Sequence, residues 1–215
     1  MGWRGWDFFL DSLNQLSLRL IHSLPHNYIH VSSSSSIPLH QWTQVAFTYD
    51  GSGKASGVHL YVNGSEVSAT IQYDRLYKSI KTIHNNGRPA GAPLTIGKAN
   101  RIFTGENGIF EGRMDELRIF SADLTALEIA RLAGAEHKIT DDLLKQHRLR
   151  RTREFEKHQL ELRNLRKKKL ELVNSIPEIM VMEEMPSPRP MYVLERGLYD
   201  APLEQVDPGT PESIS

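Results

Sequence analysis

The sequence has no cysteine, which removes disulfides, thiolate metal sites, cysteine nucleophiles and haem attached through CxxCH. It has no surplus of either charge, because 26 Lys and Arg side chains face 26 Asp and Glu. A generally basic nucleic-acid binder is therefore excluded. No apolar run approaches the roughly 20 residues that span a bilayer, so no segment inserts into a membrane. The opening Met1-Gly2-Trp3-Arg4-Gly5-Trp6 lacks a basic segment followed by an apolar core, and no secretory signal is visible. What is present, in 215 residues that are 39% hydrophobic, has the balance of a soluble globular chain.

The charge is neutral in sum but uneven along the chain. Residues 1–134 carry 12 basic and 11 acidic side chains, residues 137–173 carry 12 and 6, and residues 174–215 carry 2 and 8. These steps divide the chain into three segments, 1–134, 137–175 and 176–215.

The first segment predicts antiparallel β-structure. Phe8-Phe9-Leu10 and Leu16 to Ile21 read as a hairpin about Asp11, Ser12 and Asn14. Tyr28 to Val31 is a short strand, followed by a flexible polar run, Ser32 to Ser36. Gln41 to Tyr49 alternates and stops at Asp50-Gly51-Ser52-Gly53. Val58 to Val62 joins Glu66 to Thr70 through Asn63-Gly64, residues that accept φ > 0 at both centres of a type I′ turn. Leu94 to Gly97 and Met114 to Phe120 supply two more strands. A short helix follows, capped by Thr125 with Glu128 three residues on and released at Gly134, with Leu124, Leu127, Ile129 and Leu132 as its apolar stripe.

The second segment predicts one long amphipathic helix over residues 139–175. Phe155, Leu162, Leu165, Leu172 and Ile176 follow heptad-like spacing, interrupted by His158 and Lys169. Three roles stay open for it: docking on a neighbouring module, self-pairing as a coiled coil, or a solvated lone helix. The basic run Arg163 to Lys169 has no interleaved aromatics, which argues against nucleic acid. The third segment, with prolines at 177, 186, 188, 190, 202, 208 and 211, predicts an acidic, extended tail with little regular structure.

Four blocks carry a resemblance: Trp42-Thr43-Gln44-Val45-Ala46-Phe47-Thr48-Tyr49-Asp50-Gly51, Leu60-Tyr61-Val62-Asn63-Gly64, Leu94-Thr95-Ile96-Gly97, and Gly112 to Phe120 leading to Leu124–Ile129. Together they resemble laminin-G-like, concanavalin A-like jelly-roll domains. The tail, with Val181-Met182-Glu183-Glu184, Pro188-Arg189-Pro190 and Pro208-Gly209-x-Pro211, resembles a connector of large planctomycete surface proteins. The resemblance implies a mainly β, antiparallel jelly-roll sandwich lacking N-terminal strands, in an extracytoplasmic fragment of a longer parent. That parent would hold haem in a separate cytochrome-c-like module and carry two further planctomycete domains.

For function the resemblance implies a recognition module for a glycan or a protein, or an architectural spacer bracing neighbouring domains. Exposed aromatics stack on sugars, which makes Trp3, Trp6, Tyr73 and Tyr77 candidate contacts. Calcium takes six to eight hard oxygens, and laminin-G-like rims often supply them. Asp50, Asn63, Asp74, Asn107 and Asp115 are the candidate ligands. Glycoside hydrolysis needs two carboxyl groups about 5–5.5 Å or roughly 6.5–9.5 Å apart. Glu111 and Asp115 share a face of the expected strand but lie about 13 Å apart at its rise, and Glu116 points the other way. The scattered histidines give no HExxH, so the expectation is a non-enzyme.

Overall fold

The computed structural model describes residues 4–81, 94–98, 109–135, 139–177, 189–197 and 200–207, together with Ile179 and Gly209. Two compact units divide at Ile176 and Pro177. The first holds two antiparallel sheets. One is ordered β1-β2-β3-β7 and the other β4-β5-β6.

The larger sheet consists of β1 (Gly5–Leu10), β2 (Gln15–Ser23), β3 (Asn27–Ser36) and β7 (Ala69–Arg75). Alternation decides its faces. Leu16, Leu18, Leu20, Ile29 and Val31 point inward, meeting Val58 and Leu60 of the smaller sheet in one buried cluster. The smaller sheet consists of β4 (Val45–Tyr49), β5 (Val58–Val62) and β6 (Ser65–Val67). Phe8 and Trp6 bring their rings 5.0 and 5.8 Å from that of Phe47, closing one end of the sandwich.

The β5–β6 hairpin forms as its sequence predicts, with Asn63 at φ 48° and Gly64 at φ 75°. The strand expected over Glu66 to Thr70 divides, however. β6 ends at Val67, and β7 begins at Ala69 in the other sheet, so the chain crosses between layers at Ser68. Strand β4 begins at Val45 rather than Gln41, because the Gln44 amide donates to Asn63 Oδ1 at 2.9 Å in the turn.

Several other expectations are corrected. Ser32 to Ser36 is not a loop but the second half of β3. Ser17 and Ser32 share a hydroxyl contact of 2.7 Å, and Ser33 Oγ accepts the Leu16 amide at 2.9 Å. Ladder partners on both sides hold the run extended, which no apolar periodicity could have announced.

The strands expected over Leu94 to Gly97 and Met114 to Phe120 are not formed; Lys98 and Ile109 make only an isolated bridge. Glu116 has φ 53°, a left-handed value that breaks alternation, and Leu117 and Ile119 stand 64% and 66% exposed.

Helix α1 (Ala126–Leu132) has the reciprocal capping box of Thr125 and Glu128. It ends in a Schellman motif: Ala135 N donates to Ala130 O at 2.9 Å and Gly134 N to Arg131 O at 3.0 Å. Leu127 and Ile129 are buried, but Leu132 faces solvent.

The long helix expected over residues 139–175 is two: α2 (Asp141–Arg150) and α3 (Arg153–Ser175). Thr152 separates them in an extended conformation; its hydroxyl accepts from Phe155 N at 3.3 Å and donates to Leu149 O at 2.8 Å. Local side-chain bonding of this kind competes with a continuous helix without needing Pro or Gly. Leu165, Leu172 and Ile176 of the heptad-like series are exposed. Among the described residues no helix is long and apolar enough to cross a membrane.

The second unit is not simply extended. β8 (Met191–Leu194) and β9 (Pro202–Val206) pair antiparallel, Met191 facing Val206. Pro202 opens its strand, a position that tolerates the missing amide hydrogen.

Candidate functional site

The smaller sheet has a second face, turned away from the core. Register places Thr48 beside His59, and Tyr61 between Ala46 and Glu66. These side chains alternate with the inward Phe47 and Leu60, as the pleat requires. Helix α1 lies close by: a Cβ built on Gly64 would come 2.8 Å from Ala135 Cβ and 2.9 Å from Ala133 Cβ. Between this face, the start of α1 and the flank of α2 lies a cleft of about 240 Å³. Thr48, His59, Tyr61 and Glu66 form its floor, Leu124 to Leu127 one wall, and Leu143, Gln146 and Arg150 of α2 the other.

Its polar groups are paired. His59 Nδ1 lies 2.7 Å from Glu66 Oε1, and Arg150 donates to Asp123 Oδ2 at 2.5 Å. Burial raises the Tyr61 hydroxyl above the usual phenol range, although the Thr48 side chain bonds it; the group stays neutral. Behind the wall, Thr125 Oγ1 lies 3.0 Å from His147 Nδ1. Glu128 accepts from Thr125 N at 2.8 Å and pairs with Arg151. Burial works against the charged form of Glu128, but the Thr125 and Arg151 donors outweigh it and hold the carboxyl below its ordinary range.

The profile of the Concanavalin A-like lectin/glucanases superfamily matches residues 2–130. The chain belongs to this superfamily. No curated protein matches it. Among solved structures it is similar to the 2.1 Å crystal structure of an S-layer domain-containing protein (residues 221-444) from Clostridium thermocellum ATCC 27405. The identity is 26%, covering 60% of this chain and 63% of that one, with a TM-score of 0.33. The matched region of the concanavalin A-like domain holds the sandwich and most of α1. The α2 wall of the cleft lies beyond it.

The described aromatic residues expected to contact ligand do not line the cleft. Trp3 and Asn107 lie outside the described residues. Trp6 sits at the end of the core face of β1, 44% exposed, over Phe47. Tyr73 lies on the opposite, outer face of the larger sheet, stacked on Tyr28 at 4.2 Å and 12°. Nearby on that face, Arg19 reaches both Asp7 oxygens at 3.0 and 2.8 Å and lies 4.5 Å above the Phe9 ring. Tyr77 is exposed just after β7, its amide bonded to Asn27 Oδ1 at 3.1 Å.

The expected calcium ligands are likewise dispersed. Asp50 Oδ1 accepts from Ser52 N and Asp74 Oδ1 from Ala55 N, both at 2.9 Å, so these two flank one loop. Asn63 lies beyond the other end of β5, six residues from the Gly57 that Asp50 faces, about 20 Å away at strand rise. Asp115 Oδ1 accepts the neighbouring Glu116 amide at 2.8 Å on an exposed segment. Among the described residues no three Asp, Glu or His side chains gather as a metal site. Asp50 is further engaged by Arg166, at 2.8 Å from its carbonyl and 3.4 Å from its carboxylate. The four described candidates therefore do not gather at one place.

Sequence reasoning missed the cleft. Alternation in β5 already placed His59 and Tyr61 on one face, but nothing local signalled that Arg150 would reach back 27 positions to Asp123.

Proposed function

We propose that the chain is a non-catalytic recognition module of a surface protein, and that its ligand is a carbohydrate held in the cleft between the smaller sheet and α1 and α2. The observation that carries this reading is the paired polar lining, His59 Nδ1 against Glu66 Oε1 and Asp123 with Arg150. A lining of paired polar groups offers both donors and acceptors at close range. Sugar hydroxyls, which donate and accept together, match it. Leu124 and Leu143, both partly exposed, provide apolar surface for ring C–H groups. Catalysis is disfavoured because Glu111, Asp115 and Glu116 lie outside any strand, and Glu116 is tied to Arg118.

A glycan array on the full chain tests the reading. Binding that Gln146→Ala and Glu66→Gln reduce at least tenfold, while Tyr73→Ala leaves it unchanged, supports the cleft. Binding lost with Tyr73→Ala or Tyr77→Ala alone would move the site to the face of the larger sheet. An array blank across polysaccharides would overturn sugar recognition.

The second reading is an architectural spacer. It is favoured by the ties between the sandwich and the end of α3, where Lys78 Nζ donates to Ile176 O at 3.1 Å and Ser79 N to Asn174 Oδ1 at 3.2 Å. The connector resemblance carries the further proposal that the parent is a large, extracytoplasmic planctomycete protein with its haem in a separate module.

A further inference from the structure

The surface that α2 and α3 present to the sandwich is basic, and the surface that receives them is acidic. Arg150 and Arg163 both reach Asp123, at 2.5 and 3.5 Å. Arg151 pairs with Glu128, and Arg166 with Asp50. In every one of these contacts the carboxylate belongs to the sandwich or the start of α1, and the guanidinium to the helical arm. The arm has no fully buried residue along either helix. Leu143, Leu144, Phe155, Leu170 and Val173 are only partly covered. With no side chain of the arm fully buried, its ion pairs are the salt-sensitive part of this attachment.

We infer that α2 and α3 form a charge-latched cover over the cleft, released by ionic strength rather than by unfolding of the sandwich. The inference rests on the cleft being the binding site, because α2 supplies Leu143, Gln146 and Arg150 to its wall. Asp123 is the centre of the latch, since it takes arginines from both helices. Screening shortens the reach of such pairs, from a Debye length of about 10 Å at 0.1 M salt to about 3 Å at 1 M. The sandwich core, made of leucine, isoleucine and valine side chains, has no comparable dependence.

The absence of cysteine makes the test direct. Paired labels on Ser36→Cys in the sandwich and Lys145→Cys on α2 report their separation in the full chain. The expected result is a narrow distance distribution at about 0.1 M salt that lengthens and broadens at about 1 M, with the β-sheet circular dichroism unchanged. Asp123→Asn should reproduce the broadened state at low salt. Should that variant misfold, the combined Arg150→Gln, Arg163→Gln and Arg166→Gln substitutions, all on the arm, give the same readout. A distribution unmoved by salt and by the arginine substitutions would overturn the latch. The measurement uses no ligand, so a salt-released arm with a blank glycan array would overturn sugar recognition alone. A rigid arm with retained sugar binding would overturn the latch alone.

Discussion

At the scale of single residues, Gly64 is tightly constrained. Its φ of 75° is left-handed, and an added Cβ would lie within 3 Å of two alanine methyls. Gly64→Ala combines backbone strain with a clash against the end of α1, and is expected to cost about 2–3 kcal/mol. A lowered denaturant midpoint at unchanged slope would show it. Leu60, fully buried between the sheets, provides a second case: Leu60→Ala should cost about 2–5 kcal/mol, through lost transfer energy and the cavity left behind. Both effects exceed what any one surface arginine contributes, about 0–1 kcal/mol. The Asn-Gly turn and the alternation that buries Leu60 were legible in the sequence, because both are short-range chemistry. The methyl contacts behind Gly64 were not, because they depend on where α1 docks.

At the scale of elements, α1 was readable to its ends, since Thr125, Glu128 and Gly134 act within one or two turns. Thr125→Ala is expected to cost about 1 kcal/mol of stability through loss of the capping box. Thermal melting checks this, and an unchanged Tm would contradict the cap's role. The failure over Met114 to Phe120 has the opposite cause: its apolar pattern is strand-like, but a strand exists only with a partner edge, and Glu116 turns left-handed where none is supplied. The break between α2 and α3 turns on Thr152, a residue type compatible with either outcome, so its sequence left the matter undecided.

The docking elements also set an acid response. Asp50 is held below its usual range: burial opposes the charged form, but hydrogen bonds from Ser52 and Arg166 outweigh it, and Glu128 is lowered through Thr125 and Arg151. A lowered carboxyl contributes stability that is fully present above the unfolded value and lost as pH falls through the folded one. Melting temperature should therefore hold from neutrality to about pH 5 and decline below about pH 4. Asp50→Asn with Glu128→Gln should melt lower at neutral pH and show a flatter acid limb. An acid limb identical to that of the unaltered chain would contradict the assignment.

At the scale of the whole molecule, the first unit combines a concanavalin A-like sandwich with a helical arm from beyond the family's matched region. The basic surplus of the arm was visible in the sequence, and its pairing was not. Four of the arginines serve carboxylates of the sandwich or the start of α1, which gives a basic helix in a neutral protein a role within the fold. The cleft is a product of that arrangement, with its floor from alternation in β4 and β5 and its wall from a helix 80 residues later.

The most direct test is a nuclear magnetic resonance titration of the full chain with saccharides drawn from a glycan array. Shifts should concentrate at Thr48, His59, Tyr61, Glu66 and Gln146 and weaken with Gln146→Ala. Shifts confined to Tyr28, His30 and Tyr73, or none at all, would contradict binding in the cleft.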